Sequence, residues 1–491
     1  MVKRDFDAVV IGSGPNGLAA AITMQQNGLS VLIIEGKDTV GGGLRTQELT
    51  LPGFKHDVCS AVHPLAADSP FFKTLPLGLH GLEFIDPPLA AAHPFDDGTA
   101  AVLSRTMQET LASLGKDAKA YQNLMEPLIK LWPDIAYDAL GPLSFPAHPL
   151  KMAQFGWKAL SAVTSLSKLF SGEQAKGLLG GMAAHAIQPL TNQATSAIAL
   201  VLTIVGHTRG WPVPKGGSVE IANALSSYFI AIGGKIETGN YIKNLSQLPS
   251  HHALLFDITP KQLLEIAGHK FSSIYQWQLQ KYRYGMGVYK IDWALSEPIP
   301  FTAAQCRKAG TVHLGNTLNE IKEAEFRTSK GGHPERPFVL LAQQSLFDSS
   351  RVPLEKQSAW AYCHVPNGSV KDQTAAIENQ VERFAPGFKD TIIGKHTMNT
   401  AELESYNPNY IGGDINGGII DIRQLFTRPA LRWSPYRTSE KGMYICSSST
   451  PPGGGVHGMC GYHAAKNALS DIFKIKLPAL NTLPVLMSPV Q

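Results

Sequence analysis

Apolar positions in the first stretch of the chain change period twice, and those changes predict a strand, a turn, a helix and a second strand in quick succession. Ala8 to Ile11 is a continuous apolar run, suited to a strand buried on both faces, and Gly12-Ser13-Gly14-Pro15-Asn16-Gly17 follows it at once. A helix is predicted over 15–27, closed by Gly28, and Val31 to Ile34 repeats the buried-strand pattern with Glu35 at its end. From about Ala66 to His207 the pattern becomes helical, including 104–120 and 121–131. Lys151 to Lys176 sets Phe155, Trp157, Leu160, Val163, Leu166, Leu169 and Phe170 at near-helical spacing with lysines between them, so one amphipathic helix is expected there. The most apolar run, Ala197 to Gly206, is far shorter than the roughly 20 residues needed to cross a bilayer.

A second set of elements begins at Trp211. WPVPKGGS leads into a helix over 219–232, and Ala253 to Ile258 is another buried strand, ending in Thr259-Pro260. Strands are then predicted at 286–294, 311–314, 337–343 and 359–364. Asn407 to Thr427 carries two glycine pairs, too many for a regular element, and reads as a loop brought close to a ligand. The chain then repeats its opening order: a strand over 443–447, a glycine-rich turn from Pro451 to Gly458, and a helix over 459–469.

The first turn carries specific chemistry. After a buried strand, Gly12 permits a tight turn, Gly14 lets the backbone approach a pyrophosphate, and Gly17 lets the helix pack close to the strand. Pro15 opens the helix, whose N-terminus turns unpaired N–H groups toward the phosphates. Glu35 stands where a carboxylate accepts hydrogen bonds from an adenosine ribose and would repel a 2′-phosphate, which argues against NADP and leaves FAD and NAD.

Strand, glycine turn, helix, strand and acid, followed by the glycines of GKDTVGGGLRT, resemble the FAD-binding start shared by amine oxidases and phytoene desaturase-like flavoproteins. Those families place Arg directly after the Gly-Gly pair, whereas here Gly43 follows Gly42 and Arg45 comes two positions on. The resemblance implies that Gly42, Gly43 and Arg45 lie at the cofactor. It implies that LPGFKHDVCSAVHPL turns beneath the flavin, bringing Asp57, Ser60 and His63 nearby, and that Tyr241 and Ile242 pass the adenine. The strand ending at Thr259 matches the family as well. The C-terminal segment GMYICSSSTPPGGGVHGMCGYHAAKNAL resembles the second FAD motif of phytoene desaturase-like proteins. Gly454 and Gly455 would then lie at the cofactor, and backbone N–H groups near Gly458 and Met459 would hold the flavin ring.

Composition narrows the alternatives. The 491 residues are 44% hydrophobic and 17% charged, which suits a two-domain globular protein with a large core. A net charge of +4 with no dense Lys/Arg block indicates no nucleic-acid partner, and no Cys/His spacing suggests a metal. The five cysteines are scattered singly, so neither a disulfide framework nor a dithiol redox centre is expected. The first strand begins close to Met1, from which a cytoplasmic location is expected, with peripheral membrane contact through 151–176 an added possibility.

The fold class expected is α/β, a Rossmann-like FAD-binding domain with an inserted α+β substrate domain. The FAD-binding domain is read as 1–65, 208–269 and 405–480, and the substrate domain as 66–207 and 270–404. The function expected is an FAD-dependent oxidoreductase of dehydrogenase or desaturase type, acting on a small apolar substrate and passing electrons to oxygen, a quinone or a protein. A redox-neutral double-bond isomerase using reduced FAD and a non-catalytic FAD-stabilised scaffold are the alternatives. No second glycine fingerprint for NAD(P)H is present, since Gly412-Gly413 follows no suitable strand. His457, in the second glycine turn, is the candidate for orienting substrate or moving a proton, ahead of Asp414, Tyr462 and His463.

Overall fold

The structure is a computed structural model, and it describes residues 4–486. Two sheets organise it. The first is five-stranded and wholly parallel, in the spatial order Met443–Ile445, Ala253–Phe256, Ala8–Ile11, Val31–Ile34 and Lys235–Glu237. Its central strands are buried along their whole length, as a parallel sheet covered on both faces requires. The helices Pro15–Gln25 and Met459–Ala468 lie against each other on one face. Their backbones approach so closely that a Cβ at Gly461 would stand 1.9 Å from the Asn16 carbonyl oxygen. The two glycine turns therefore converge on the same edge of this sheet.

The second sheet is seven-stranded, in the order Ile392–Met398, Gly287–Leu295, Gln357–Val365, Val339–Ala342, Ala309–Leu314, Leu89–Pro94 and Ala100–Leu103. Its pairings are antiparallel except that of Ala309–Leu314 with Leu89–Pro94. The last two strands fall inside the stretch expected to be helical. Leu89–Pro94 reads LAAAHP, whose alanines favour a helix locally, but every residue in it is buried in the sheet. Tertiary burial has overridden propensity.

The single amphipathic helix expected over 151–176 is instead broken into Pro149–Ala159, Val163–Leu166 and the start of Glu173–Ala184. The break at Ser171-Gly172 has a cause: both backbone N–H groups donate to the Asp117 carboxylate, at 2.9 and 2.6 Å. Phe155, Val163, Leu166 and Phe170 are buried, whereas Trp157 is 86% exposed. Ala197 to Gly206 lies within the helix Thr195–Thr208, and among the described residues no helix is long and apolar enough to cross a membrane.

Candidate functional site

A cavity of about 610 Å³ joins the two sheets. At one end its wall is built from Gly12, Gly14 and Pro15 of the first turn, with Glu35, Gly42, Gly43, Arg45 and Ser60. Tyr241, Ile242 and Thr259 line it from one side, and Gly454 and Gly455 from another. The other end is largely apolar and aromatic, with Ile198, Val201 and Leu202 of the helix Thr195–Thr208, Trp211, and Leu340, Trp360 and Tyr362 of the seven-stranded sheet.

Glu35 is held in place before any ligand arrives. One carboxylate oxygen accepts from the Ser13 N–H at 2.9 Å and the Ser13 hydroxyl at 2.6 Å. The other accepts from the Lys37 N–H at 2.9 Å and from Arg45 Nη2 at 3.2 Å. Arg45 is correspondingly occupied. Its guanidinium also donates to the Thr39 carbonyl and hydroxyl and to the Gly42 carbonyl. Most of the fork expected to face phosphate thus ties the loop after Glu35 to that carboxylate.

A carboxyl that the sequence reading passed over stands at the base of the first turn. Asp257 follows the strand Ala253–Phe256, lines the cavity, and accepts the Gly17 N–H at 2.9 Å. A Cβ on Gly14 would lie 2.6 Å from Asp257 Oδ2, and one on Gly17 would lie 2.1 Å from the Gly12 carbonyl oxygen. The glycine at 14 is therefore required by Asp257 itself, and the glycine at 17 by the close helix-to-strand contact. Burial pushes Asp257 up to about 7, and the negative charge of Glu35 adds to that, while the Gly17 N–H opposes it.

Ser60 lines the cavity with its hydroxyl donating to the Gly43 carbonyl at 3.0 Å. His63 also lines it. Its Nε2 lies 2.7 Å from the Ser218 hydroxyl, which itself donates to the Ser60 carbonyl, so the imidazole is the donor of that pair. Asp57, expected beside it, is instead fully buried outside the cavity wall, paired with Arg351 at 2.5 Å and with the Ser218 N–H at 2.8 Å. The glycine-rich loop over 407–427 does reach the cavity, through Asn407, Tyr410 and Asn416 among others. Asn409 accepts the Thr259 N–H at 2.8 Å, which fixes the loop to the segment that follows the strand Ala253–Phe256.

The expectations for the second turn need correction. His457 is 1% exposed and does not line the cavity; Gly455 and Val456 occupy the wall there. Its Nδ1 accepts the Met459 N–H at 3.0 Å, and burial pushes the imidazole down to about 4. The Met459 N–H is thus spent within the protein, and neither Gly458 nor Met459 lines the cavity. Asp414 is buried and accepts from the N–H groups of Gly285, Asn416 and Gly418. Tyr462 and His463 are buried against Phe71 and Tyr436. None of these three is on the cavity wall.

Fold and site together define a Rossmann-like α/β architecture, with a glycine turn at the carboxyl end of a parallel sheet opening onto the cavity. Residues 10–75 match the family described as NAD(P)-binding Rossmann-like domain. Nearly the whole chain is similar to the rat pyridine nucleotide-disulfide oxidoreductase domain-containing protein 2, at 25% identity across 96% of this chain and 94% of that one. It is similar to a subunit of the limonene dehydrogenase of Castellaniella defragrans at 20% identity, across 96% and 95% of the two chains. Among solved structures, an oxidoreductase from Methanosarcina mazei shares the fold with a TM-score of 0.65 at 15% identity, covering 93% of this chain and 98% of its own. A fatty acid isomerase from P. acnes does so with a TM-score of 0.57 at 14% identity, covering 96% and 100%.

Proposed function

We propose that this chain is an FAD-dependent oxidoreductase of dehydrogenase or desaturase type, acting on a small, largely apolar substrate. The observation that carries the reading is the continuity of one cavity from the glycine turn and Glu35 to the apolar wall of Trp211, Leu340, Trp360 and Tyr362. The residues present fit the cofactor. Ser13 and Lys37 hold the Glu35 carboxylate at the end of its strand, where it would accept from an adenosine ribose, and the glycines at 12, 14, 454 and 455 keep side chains out of the cavity at both turns. When bound, the flavin supplies hydride acceptance and return. The chain's own part is to position the substrate, exclude water with the aromatic wall, and hold the adenosine end through Glu35. Electrons would leave to oxygen, a quinone or another protein.

A second reading, a redox-neutral double-bond isomerase using reduced flavin, is favoured by the shared fold of the fatty acid isomerase. Peripheral contact with a membrane surface is part of the proposal, supported by exposed Phe145, Leu150 and Trp157 beside Lys151 and Lys158. The test is purification without added cofactor, identification of the released dinucleotide by mass spectrometry, and anaerobic incubation with candidate substrates. Stoichiometric flavin bleaching supports the oxidoreductase, and turnover only after dithionite reduction supports the isomerase. Recovery of well-folded protein with NAD, FMN or no cofactor would sink both.

A further inference from the structure

His185 caps the helix Glu173–Ala184 and opens into the apolar end of the cavity, with its ring edge-on to Trp211 at 5.5 Å. Its Nε2 lies 2.9 Å from Nε2 of His313, and among the described residues its Nδ1 has no protein partner. His313 is fully buried, and its own Nδ1 meets no partner either. One Nε2 of this pair must carry the shared hydrogen. If it were that of His185, the hydrogen of His313 would sit on Nδ1, a buried N–H with no acceptor. An unmet lone pair is better tolerated than an unmet donor, so His313 carries its hydrogen on Nε2 and donates to His185. The hydrogen of His185 is then on Nδ1. Burial pushes His185 down to about 3 and His313 well below its ordinary value, so both rings are neutral near pH 7.

The geometry points to His185 as a specificity-determining donor whose Nδ1–H fixes a neutral oxygen, a carbonyl or hydroxyl, on an otherwise apolar substrate. This deepens the function proposed above and rests on it for where the substrate lies. Two alternatives are disfavoured by the surroundings. The cationic side chains lining the cavity among the described residues are Lys37, whose ammonium lies over the Tyr406 ring, and Arg45, which is paired with Glu35. A carboxylate at His185 would therefore be buried without a counter-ion. A plain hydrocarbon would leave the Nδ1–H unmet.

The test compares two sets of probes: limonene, carvone and perillate, and dodecane, 2-dodecanone and dodecanoate. Binding to the protein as purified is read from tryptophan fluorescence, since Trp211 and Trp360 line the cavity. The ketone should bind about 3- to 10-fold more tightly than the hydrocarbon, and more tightly than the carboxylate, in at least one set. His185→Phe should abolish that preference, read as the ratio of ketone to hydrocarbon affinity within the same variant, and His185→Asn, which returns an N–H near the Nδ1 position, should restore part of it. No ketone preference in either set, no binding at all, or a preference that survives His185→Phe overturns the assignment. Should His185→Phe fail to fold, the wild-type ranking and His185→Asn decide. Flavin content is measured on the same samples, so a failure of the cofactor reading is seen separately from a failure of this one.

Discussion

Asp257 Oδ2 accepts the Gly17 N–H at 2.9 Å, so a carboxyl from 240 residues downstream faces the amino end of the first helix. Burial pushes this group from 3.8 up to about 7. Between those two values the folded chain keeps a proton that the unfolded chain has released. Stability therefore falls as pH rises through that window and levels off above it. A single group gives a slope of at most about 1.4 kcal/mol per pH unit. Asp257→Asn should remove this slope. Denaturant titrations of both proteins from pH 4.5 to 8.5 check it, and parallel curves would show that Asp257 titrates normally.

The same contact explains why residue 14 is a glycine. Gly14→Ala places a methyl 2.6 Å from Asp257 Oδ2 and should cost about 1 to 3 kcal/mol through overpacking. Adding Asp257→Ala should recover at least about 0.5 kcal/mol of that loss, because the two residues touch. Strict additivity in a double-mutant cycle would mean that the clash lies elsewhere.

How much of this was legible in the sequence depends on how far apart the interacting groups lie. The first turn, its two strands and Glu35 are local, and their order is visible in the spacing of glycine and apolar residues. Asp257 and the pairing of His185 with His313 are not, because each joins segments more than 100 residues apart and carries no motif of its own. The strands Leu89–Pro94 and Ala100–Leu103 were hidden for a related reason. Their alanines read as helix until the neighbouring strand Ala309–Leu314 is in place. For the second turn the spacing predicted a strand, a turn and a helix, but it carries no information on which way the His457 ring points.

Glu35 gives the third expectation. Its carboxylate serves four donors, two on Ser13, one on Lys37 and one on Arg45. Glu35→Ala removes that anchor and leaves the Arg45 charge buried with only neutral partners, the Thr39 and Gly42 carbonyls and the Thr39 hydroxyl. The protein should lose about 3 kcal/mol of stability, as when one partner of a buried ion pair is removed. FAD should also be held at least about 10-fold more weakly, from the loss of one charged acceptor worth roughly 1.5 to 3 kcal/mol. Equilibrium dialysis against FAD separates the two effects, and unchanged retention would move the ribose away from Glu35.

The cysteines should be chemically quiet. Burial pushes Cys306 up to about 12 and Cys460 up to about 11, and raises Cys59, Cys363 and Cys446 as well, so all five stay as thiols near neutral pH. Only Cys59 is partly accessible. Ellman's reagent on the native protein should therefore modify at most one thiol quickly. Cys59→Ser should keep full flavin reduction by substrate. Rapid modification of two or more thiols, or loss of reduction with FAD retained, would revive a thiol mechanism.

His457 was the residue that the sequence put forward for catalysis, and the structure changes what its replacement should do. Its imidazole lies off the cavity wall, with Nδ1 receiving the Met459 N–H at the start of the helix Met459–Ala468. His457→Ala leaves that buried N–H without a partner and opens a small void beside Gly455. The expected cost is about 1 to 3 kcal/mol of stability from the unmet donor. General acid or base work at the flavin would instead predict a loss of about 10²- to 10⁴-fold in the rate of reduction. With the group off the wall and pushed down to about 4, the rate of flavin bleaching at matched FAD occupancy should stay within about threefold of wild type from pH 6 to 8. His457→Asn, whose side-chain oxygen can accept the same N–H, should recover part of the stability without altering the rate. Stopped-flow reduction paired with denaturant titration of the same samples separates the two roles, and a hundredfold slower reduction in a stably folded, FAD-loaded His457→Ala would return the residue to the chemistry.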